Sequence, residues 1–208
     1  CSREEGRGFF VSFEGVEGSG KSTQCEALAA RLTAAGETSL HVREPGGTAI
    51  GEQIRDILSS GTGITPYAEL FLFSASRALL IDTTIGPALA NGVCVVCDRY
   101  IDSTIAYQGY GRGIRREIID SVNQTAVRGI SPDLTVLLDI SPTTALRRKN
   151  AQNLDRFEKE DQGFHNRVRE GYLELAEQAE RPWIVIDGST RMQDIATSVW
   201  DVVKDYLP

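Results

Sequence analysis

The chain has 208 residues, 41% of them hydrophobic, 7% aromatic and 25% charged, and its 22 basic and 29 acidic side chains leave a net charge of −7. This is the composition of an ordinary globular domain large enough to bury a substantial core, which excludes collagen, coiled coil and disordered chains. The acidic balance argues against a protein that coats nucleic acid, because neutralising a phosphate backbone needs a basic face, so any phosphate held here must be held locally.

The first apolar run, residues 9–13, reads as a buried strand. It leads into Gly15-Val-Glu-Gly-Ser-Gly-Lys-Ser22, an instance of the phosphate-loop pattern, and then into an amphipathic helix over residues 21–35 stopped by Gly36. That strand–loop–helix context is what the chemistry requires. Glycines at 15, 18 and 20 let the backbone turn tightly against an anion, while successive N–H groups and the helix N-terminus supply partial positive charge. Lys21, one of only four lysines, reaches the terminal phosphates, and the Ser22 hydroxyl suits Mg²⁺ bound to a nucleotide. The expected nucleotide contacts are therefore Gly15, Glu17, Gly18, Ser19, Gly20, Lys21, Ser22 and Thr23. Glu17 is unusual there, since a carboxylate repels phosphates and needs a compensating partner.

A second strand is expected over residues 39–43, followed by Arg43-Glu-Pro-Gly-Gly-Thr48, a helix over 50–60 and another over 66–82. On the latter, Phe73 and Arg77 are four apart and share a face. An aromatic ring beside a guanidinium suits a base that stacks and is hydrogen-bonded at its edge. The third strand, 93–97, carries Cys94 and Cys97 at a redox-like spacing, yet strand alternation sends the two sulfurs to opposite faces, where they read as buried hydrophobes. With Cys1 and Cys25, the four cysteines are too few and too unevenly spaced for a disulfide framework. The strand ends in Asp98-Arg-Tyr100. Asp98 fits a carboxylate that positions Mg²⁺ or its water, and Arg99 fits a clamp on a second phosphate.

Residues 102–114, with Tyr107, Tyr110 and glycines at 109, 111 and 113, read as a binding loop. Then come a helix over 115–128 stopped by Gly129, a strand over 134–138, a helix over 142–150, a polar break over 150–155, a helix over 158–180 and a strand over 183–186. In the last helix Met192, Ile195, Val199, Val202, Val203 and Tyr206 recur at three and four, marking a core face. Strands alternating with helices predict an α/β fold, a five-stranded parallel sheet flanked by helices in a single domain over 1–208. In such a sheet ligands gather at the carboxyl ends of the strands, so residues 43–48 and 97–100 should flank the phosphate loop. No apolar run is long enough to span a membrane and the N-terminus has no apolar signal core, which points to the cytoplasm. His41 and His165 are expected to be structural or exposed.

A phosphate loop alone leaves open a GTPase switch, an ATP-driven machine or a small-molecule kinase. The Asn-Lys-x-Asp motif that a guanine-specific switch needs does not occur. Four segments in order, Phe13-Glu-Gly-Val-Glu-Gly-Ser-Gly-Lys-Ser-Thr-Gln24, Arg43-Glu-Pro-Gly-Gly-Thr48, Asp98-Arg-Tyr-Ile-Asp-Ser-Thr-Ile-Ala-Tyr-Gln-Gly109 and Asp155-Arg-Phe-Glu158, resemble the bacterial thymidylate kinases. The resemblance runs from about residue 8 to 207. It implies the three-layer P-loop NTPase fold with a short lid near 147–158, transfer of the ATP γ-phosphoryl group to dTMP to give dTDP, a requirement for Mg²⁺, and a homodimer packed through helices.

By the same resemblance, Phe73 would stack on thymine, Arg77 would hydrogen-bond the base, and Thr104 and Gln108 would lie near its edge. Tyr107 would sit by the deoxyribose where a 2′-hydroxyl would clash, Arg99 on the dTMP phosphate, and Glu17 toward the 3′-hydroxyl. Glu44 and Arg55 would shape the monophosphate site, and the Asp187-Gly-Ser-Thr190 segment, Ser189 included, would border the adenine. The family places its catalytic arginine either in the phosphate loop or in the lid. Here the loop acid is followed by Gly18, which resembles the lid form. Arg147, Arg148, Lys149 and Arg156 are the candidates, Arg148 first and Arg156 second, joining Lys21, Glu17, Asp98 and Arg99 as the expected catalytic set. The stretch before Asp155 is one residue shorter than the usual lid. No general base is needed, because the acceptor phosphate is already an oxygen anion.

Overall fold

The computed structural model describes residues 6–148 and 156–207, so Cys1, Lys149 and residues 150–155 lie outside the description. Strands β1 (Phe10–Glu14), β2 (Ser39–Arg43), β3 (Cys94–Asp98), β4 (Leu134–Asp139) and β5 (Trp183–Asp187) form one sheet in the order β2-β3-β1-β4-β5, every pair parallel. Every residue of β1 and β3 is buried, as expected of central strands covered on both faces. On one face Val11, Phe13, Cys94 and Val96 pack against α1 (Lys21–Ala34) and α9 (Met192–Val203) through Cys25, Leu28, Leu32, Ile195 and Val199. On the other, Phe10, Val95, Cys97 and Tyr100 pack against Leu80, Ile81, Ile85 and Leu89. Cys94 and Cys97 thus occupy opposite faces, as alternation requires.

The remaining helices are α2 (Ala49–Ser60), α3 (Pro66–Leu80), α4 (Gly86–Ala90), α5 (Ile101–Thr104), α6 (Arg116–Val127), α7 (Pro142–Arg147) and α8 (Gln162–Glu177). Three differ from the sequence expectation. The helix expected to end at 82 continues through a π-helical stretch, Ile81–Ile85, into α4. Pro87 stands at the start of that helix, where its missing N–H costs little.

Residues 102–111 are helical rather than loop, α5 running into a second π-helical stretch, Ile105–Gly111, and only 112–114 of the expected loop are irregular. Gly111 serves close packing against α8, Gly109 faces Ile119 of α6, and Gly113 takes a left-handed turn with open space around it. A Cβ on Gly111 would lie 2.6 Å from the Phe164 ring, and one on Gly171 would lie 2.6 Å from Tyr110. The helix expected from 158 begins at Gln162, because the Asp161 carboxylate accepts the Phe164 N–H at 2.7 Å and caps it there.

Candidate active site

The loop from β1 to α1 passes through left-handed backbone at Gly15 (φ 139°), Gly18 (φ 77°) and Gly20 (φ 98°). Side chains are also excluded by contact: a Cβ would lie 2.6 Å from the Leu138 carbonyl oxygen at position 15 and 2.4 Å from that of Ala145 at position 18. The loop therefore keeps its backbone bare around a cleft of about 720 Å³, which Ser19, Lys21, Ser22 and Thr23 also line. Lys21 is buried and donates from Nζ to the carbonyls of Gly15 (3.0 Å) and Val16 (2.9 Å).

Burial, reinforced by nearby Arg99, pushes the Lys21 ammonium down to about 8. A phosphate ligand needs the protonated form, so ATP affinity is expected to fall by up to about tenfold per pH unit above 8. Calorimetry at pH 8.5 in buffers of different ionisation enthalpy should show proton uptake on ATP binding, and a pH-independent affinity would refute the assignment.

β3 brings Asp98 to the same cleft, where Ser22 Oγ donates to its Oδ2 at 2.5 Å. The next residue, Arg99, has φ 73°, an uncommon conformation for a non-glycine residue. Its guanidinium donates to Glu17 Oε1 (2.6 Å), the Gly15 carbonyl (3.1 Å), Ser103 Oγ (3.1 Å) and the hydroxyls of Tyr172 (3.2 Å) and Tyr107 (3.3 Å). The Tyr107 hydroxyl in turn donates to Glu17 Oε2. Burial alone would raise the Glu17 carboxyl, but Arg99 and Lys21 outweigh it and hold the group below its usual range. Arg99, Lys21 and the Tyr107 hydroxyl thus compensate the acid in the anion loop.

A second cavity adjoins the first. Phe73, Thr104, Tyr107, Gln108, Leu58, Pro45 and Phe157 line it, together with Glu17, Glu44, Arg55 and Arg99, and those last four line both cavities. Arg55 donates to the Pro45 carbonyl at 2.9 Å. Burial raises the Glu44 carboxyl despite the pull of Arg77. Arg77 itself lies behind the wall. It is fully buried and donates to Glu44 Oε2 (2.7 Å), Thr104 Oγ1 (3.0 Å), Asn123 Oδ1 (2.9 Å) and the Tyr100 carbonyl (3.1 Å).

The two arginines expected near the lid part company. Arg148 lines the phosphate cleft and donates to the Gly188 carbonyl at 2.8 Å and the Ser189 carbonyl at 3.4 Å, while Asp187 accepts the Ser189 N–H. Arg156 lies elsewhere, donating to the Leu58 carbonyl at 3.0 Å and pairing with Glu69 at 2.7 Å. Arg147 is exposed at the end of α7. His41 is exposed and His165 is buried, neither of them lining the two cavities.

Two acids of the site escaped sequence reasoning. Glu14, fully buried beneath the phosphate loop, accepts from the Tyr100 N–H (2.8 Å), Ser103 Oγ (2.6 Å) and the Tyr172 hydroxyl (3.1 Å). It thereby holds the segment that follows the left-handed Arg99 and two of the groups that Arg99 contacts. Its signal was a lone carboxylate ending an apolar strand. Glu69, equally buried, accepts from Gln108 and pairs with Arg112 and Arg156.

Burial and neighbouring Asp102 push the Glu14 carboxyl up to about 7. Between its ordinary value and 7, the folded chain holds a proton that the unfolded chain has lost. Stability should therefore fall as pH rises through that window and level off above it. Glu14→Gln is expected to flatten that slope in urea titrations at pH 5 and 7.5, and an unchanged slope would refute it.

The thymidylate kinase family model matches residues 13–199. The chain is 47% identical to the thymidylate kinase of Trichlorobacter lovleyi, over 95% of this chain and 98% of that one. It is 48% identical to the thymidylate kinase of Solidesulfovibrio magneticus, over 95% of this chain and all of that one. The crystal structure of thymidylate kinase from Ehrlichia chaffeensis matches it with a TM-score of 0.78 at 33% identity, covering 95% of this chain and 99% of the other.

Proposed function

The chain belongs to the thymidylate kinase family, and from that premise we propose how its residues carry the family reaction, transfer of the ATP γ-phosphoryl group to dTMP to give dTDP and ADP. The observation that carries the reading is the adjoining pair of cavities with Glu17, Glu44, Arg55 and Arg99 in the shared wall. A nucleoside triphosphate in the glycine-lined cleft and a nucleoside monophosphate in the aromatic-walled cavity would meet phosphate to phosphate at those residues.

A dTMP phosphate oxygen forms the new bond to the γ-phosphorus as the bond to the β-bridging oxygen breaks, and ADP leaves. The protein's part is to bring two anions together and spread the charge of the transferring group. Lys21 and the loop N–H groups hold the donor. Arg99 and Arg55 hold the acceptor phosphate, Arg148 approaches from the side of Gly188 and Ser189, and Glu17 turns its free lone pairs to the sugar. Phe73 supplies the stacking face, Thr104 and Gln108 the edge contacts, and Tyr107 the wall beside the ribose. Arg77 acts from behind, through Thr104 and Glu44.

Ser22 and Asp98 offer a hydroxyl and a carboxylate side by side, hard oxygen donors of the kind Mg²⁺ takes when nucleotide phosphates and water complete its shell. When bound, the ion would offset negative charge on those phosphates.

A homodimer is part of the same proposal. Ile50 (56% exposed) and Ile57 (50%) on α2, and Tyr67 (48%) and Phe71 (56%) on α3, are exposed on two helices that pack together, apolar side chains suited to contact with a second copy. The proposed compartment is the cytoplasm; among the described residues no helix is long and apolar enough to cross a membrane. The chain would act as one kinase domain over 1–208, with 147–158 as its lid. A coupled ADP-release assay with ATP, Mg²⁺ and dTMP, dUMP, dCMP or thymidine tests the reading. Turnover with dTMP above all others is expected. Turnover with thymidine but not dTMP would overturn the role of Arg99.

A further inference from the structure

We propose that Glu69 is a positioning residue that sets the hydrogen-bonding polarity of the acceptor-base cavity, and so selects a pyrimidine whose ring nitrogen N3 carries a hydrogen. The inference rests on the dTMP-acceptor reading and deepens it. Gln108 lines the cavity and its Nε2 donates to Glu69 Oε1 at 2.7 Å. Glu69 is fully buried and its carboxylate is paired with two guanidiniums, Arg112 at 3.2 Å and Arg156 at 2.7 Å. An ion-paired carboxylate only accepts hydrogen bonds, so the nitrogen end of the Gln108 amide must face it. The amide oxygen is the end left for the cavity that Gln108 lines.

The neighbouring wall position is set by the same logic. Thr104, four residues earlier, accepts from Arg77 Nη1 at 3.0 Å. Its own hydrogen must therefore point away from Arg77, and Thr104 lines the same cavity. The wall presents a hydroxyl donor beside an amide acceptor. Thymine and uracil present a C4 carbonyl beside an N3–H, which matches both positions. Cytosine presents an amino group beside an N3 lone pair, which mismatches both. Buried polar groups left unpaired in this way are what makes a site built for hydrogen bonding discriminate strongly.

In Glu69→Gln the partner can donate as well as accept, so the Gln108 amide is released to turn over. The ratio of kcat/KM for dTMP to that for dCMP is expected to fall at least about tenfold. Glu69→Asp, which still only accepts, should stay within about threefold of the unaltered protein. A merely structural role would not separate Asp from Gln in this direction. In a Gln108→Leu background, Glu69→Gln should add no further change, the coupling expected of two residues acting as one. A folded Glu69→Gln protein with an unchanged ratio, or an equal fall in the Gln108→Leu background, overturns the proposal. Where Glu69→Gln does not fold, Gln108→Leu alone decides, since it leaves both ion pairs of Glu69 in place: a fall in the ratio supports the proposal and an unchanged ratio overturns it. Failure of the unaltered protein to phosphorylate dTMP would instead overturn the underlying reading before any variant is compared.

Discussion

Arg99→Ala is expected to lower kcat/KM for dTMP by about a thousandfold while the KM for ATP changes by less than about fivefold. The guanidinium sits in the wall common to both cavities and joins Glu17, Tyr107, Ser103, Tyr172 and the Gly15 carbonyl in one assembly. Its removal deletes the positive charge expected at the acceptor phosphate. It also leaves Glu17, a carboxylate held ionised largely by Arg99 against its own burial, with only Lys21 and the Tyr107 hydroxyl to offset its charge beside that phosphate. Both changes repel the same substrate, so the effect should exceed that of losing one hydrogen bond. Arg99→Lys should recover little, because an ammonium cannot reach five acceptors held in a guanidinium plane. Steady-state kinetics with both substrates varied would check this, and a loss below tenfold for the alanine variant would remove Arg99 from the acceptor site.

Arg148→Ala should cut kcat by about a hundredfold or more with little change in the KM for dTMP, whereas Arg156→Ala should leave kcat within about tenfold. The contrast comes from where the two side chains are anchored. Arg148 lines the phosphate cleft and is tied to the backbone carbonyls at 188 and 189, so its charge lies at that cleft. Arg156 is tied to the Leu58 carbonyl and Glu69, away from that cleft. Its loss should instead appear as reduced thermal stability, since a buried carboxylate loses one of its two cationic partners. Single-turnover rates for both variants would separate the outcomes, and a larger loss for Arg156 would reverse the assignment.

The phosphate loop was legible in the sequence because its chemistry is contiguous: one turn, one helix start and one lysine carry it. Asp98 and Arg99 were legible because a strand end in a parallel sheet is already a place where ligands gather. Glu14 and Glu69 were not, since each acts through partners from distant segments, Tyr172 and Tyr100 in one case and Gln108 and Arg156 in the other. Arg77 was placed on the correct helix face, but no periodicity distinguishes a guanidinium that lines a cavity from one that braces its wall through Thr104. Residues 102–111 do not read as a helix because a glycine at a tight helix crossing, such as Gly111, looks the same in sequence as a glycine in a loop. What separates them is the Phe164 ring and Gly171, both far along the chain.

Gly18 also constrains what this chain could become. The family's other form carries an arginine at the residue after the loop acid, yet here that position has φ 77° and any Cβ would press to 2.4 Å against the Ala145 carbonyl of α7. One codon change would not convert one form into the other, because the first turn after β4 would have to withdraw at the same time. The two arrangements are separated by a valley in which an intermediate sequence has a displaced helix and no correctly seated charge. Exchanging them in the laboratory would require grafting the loop and α7 as a unit.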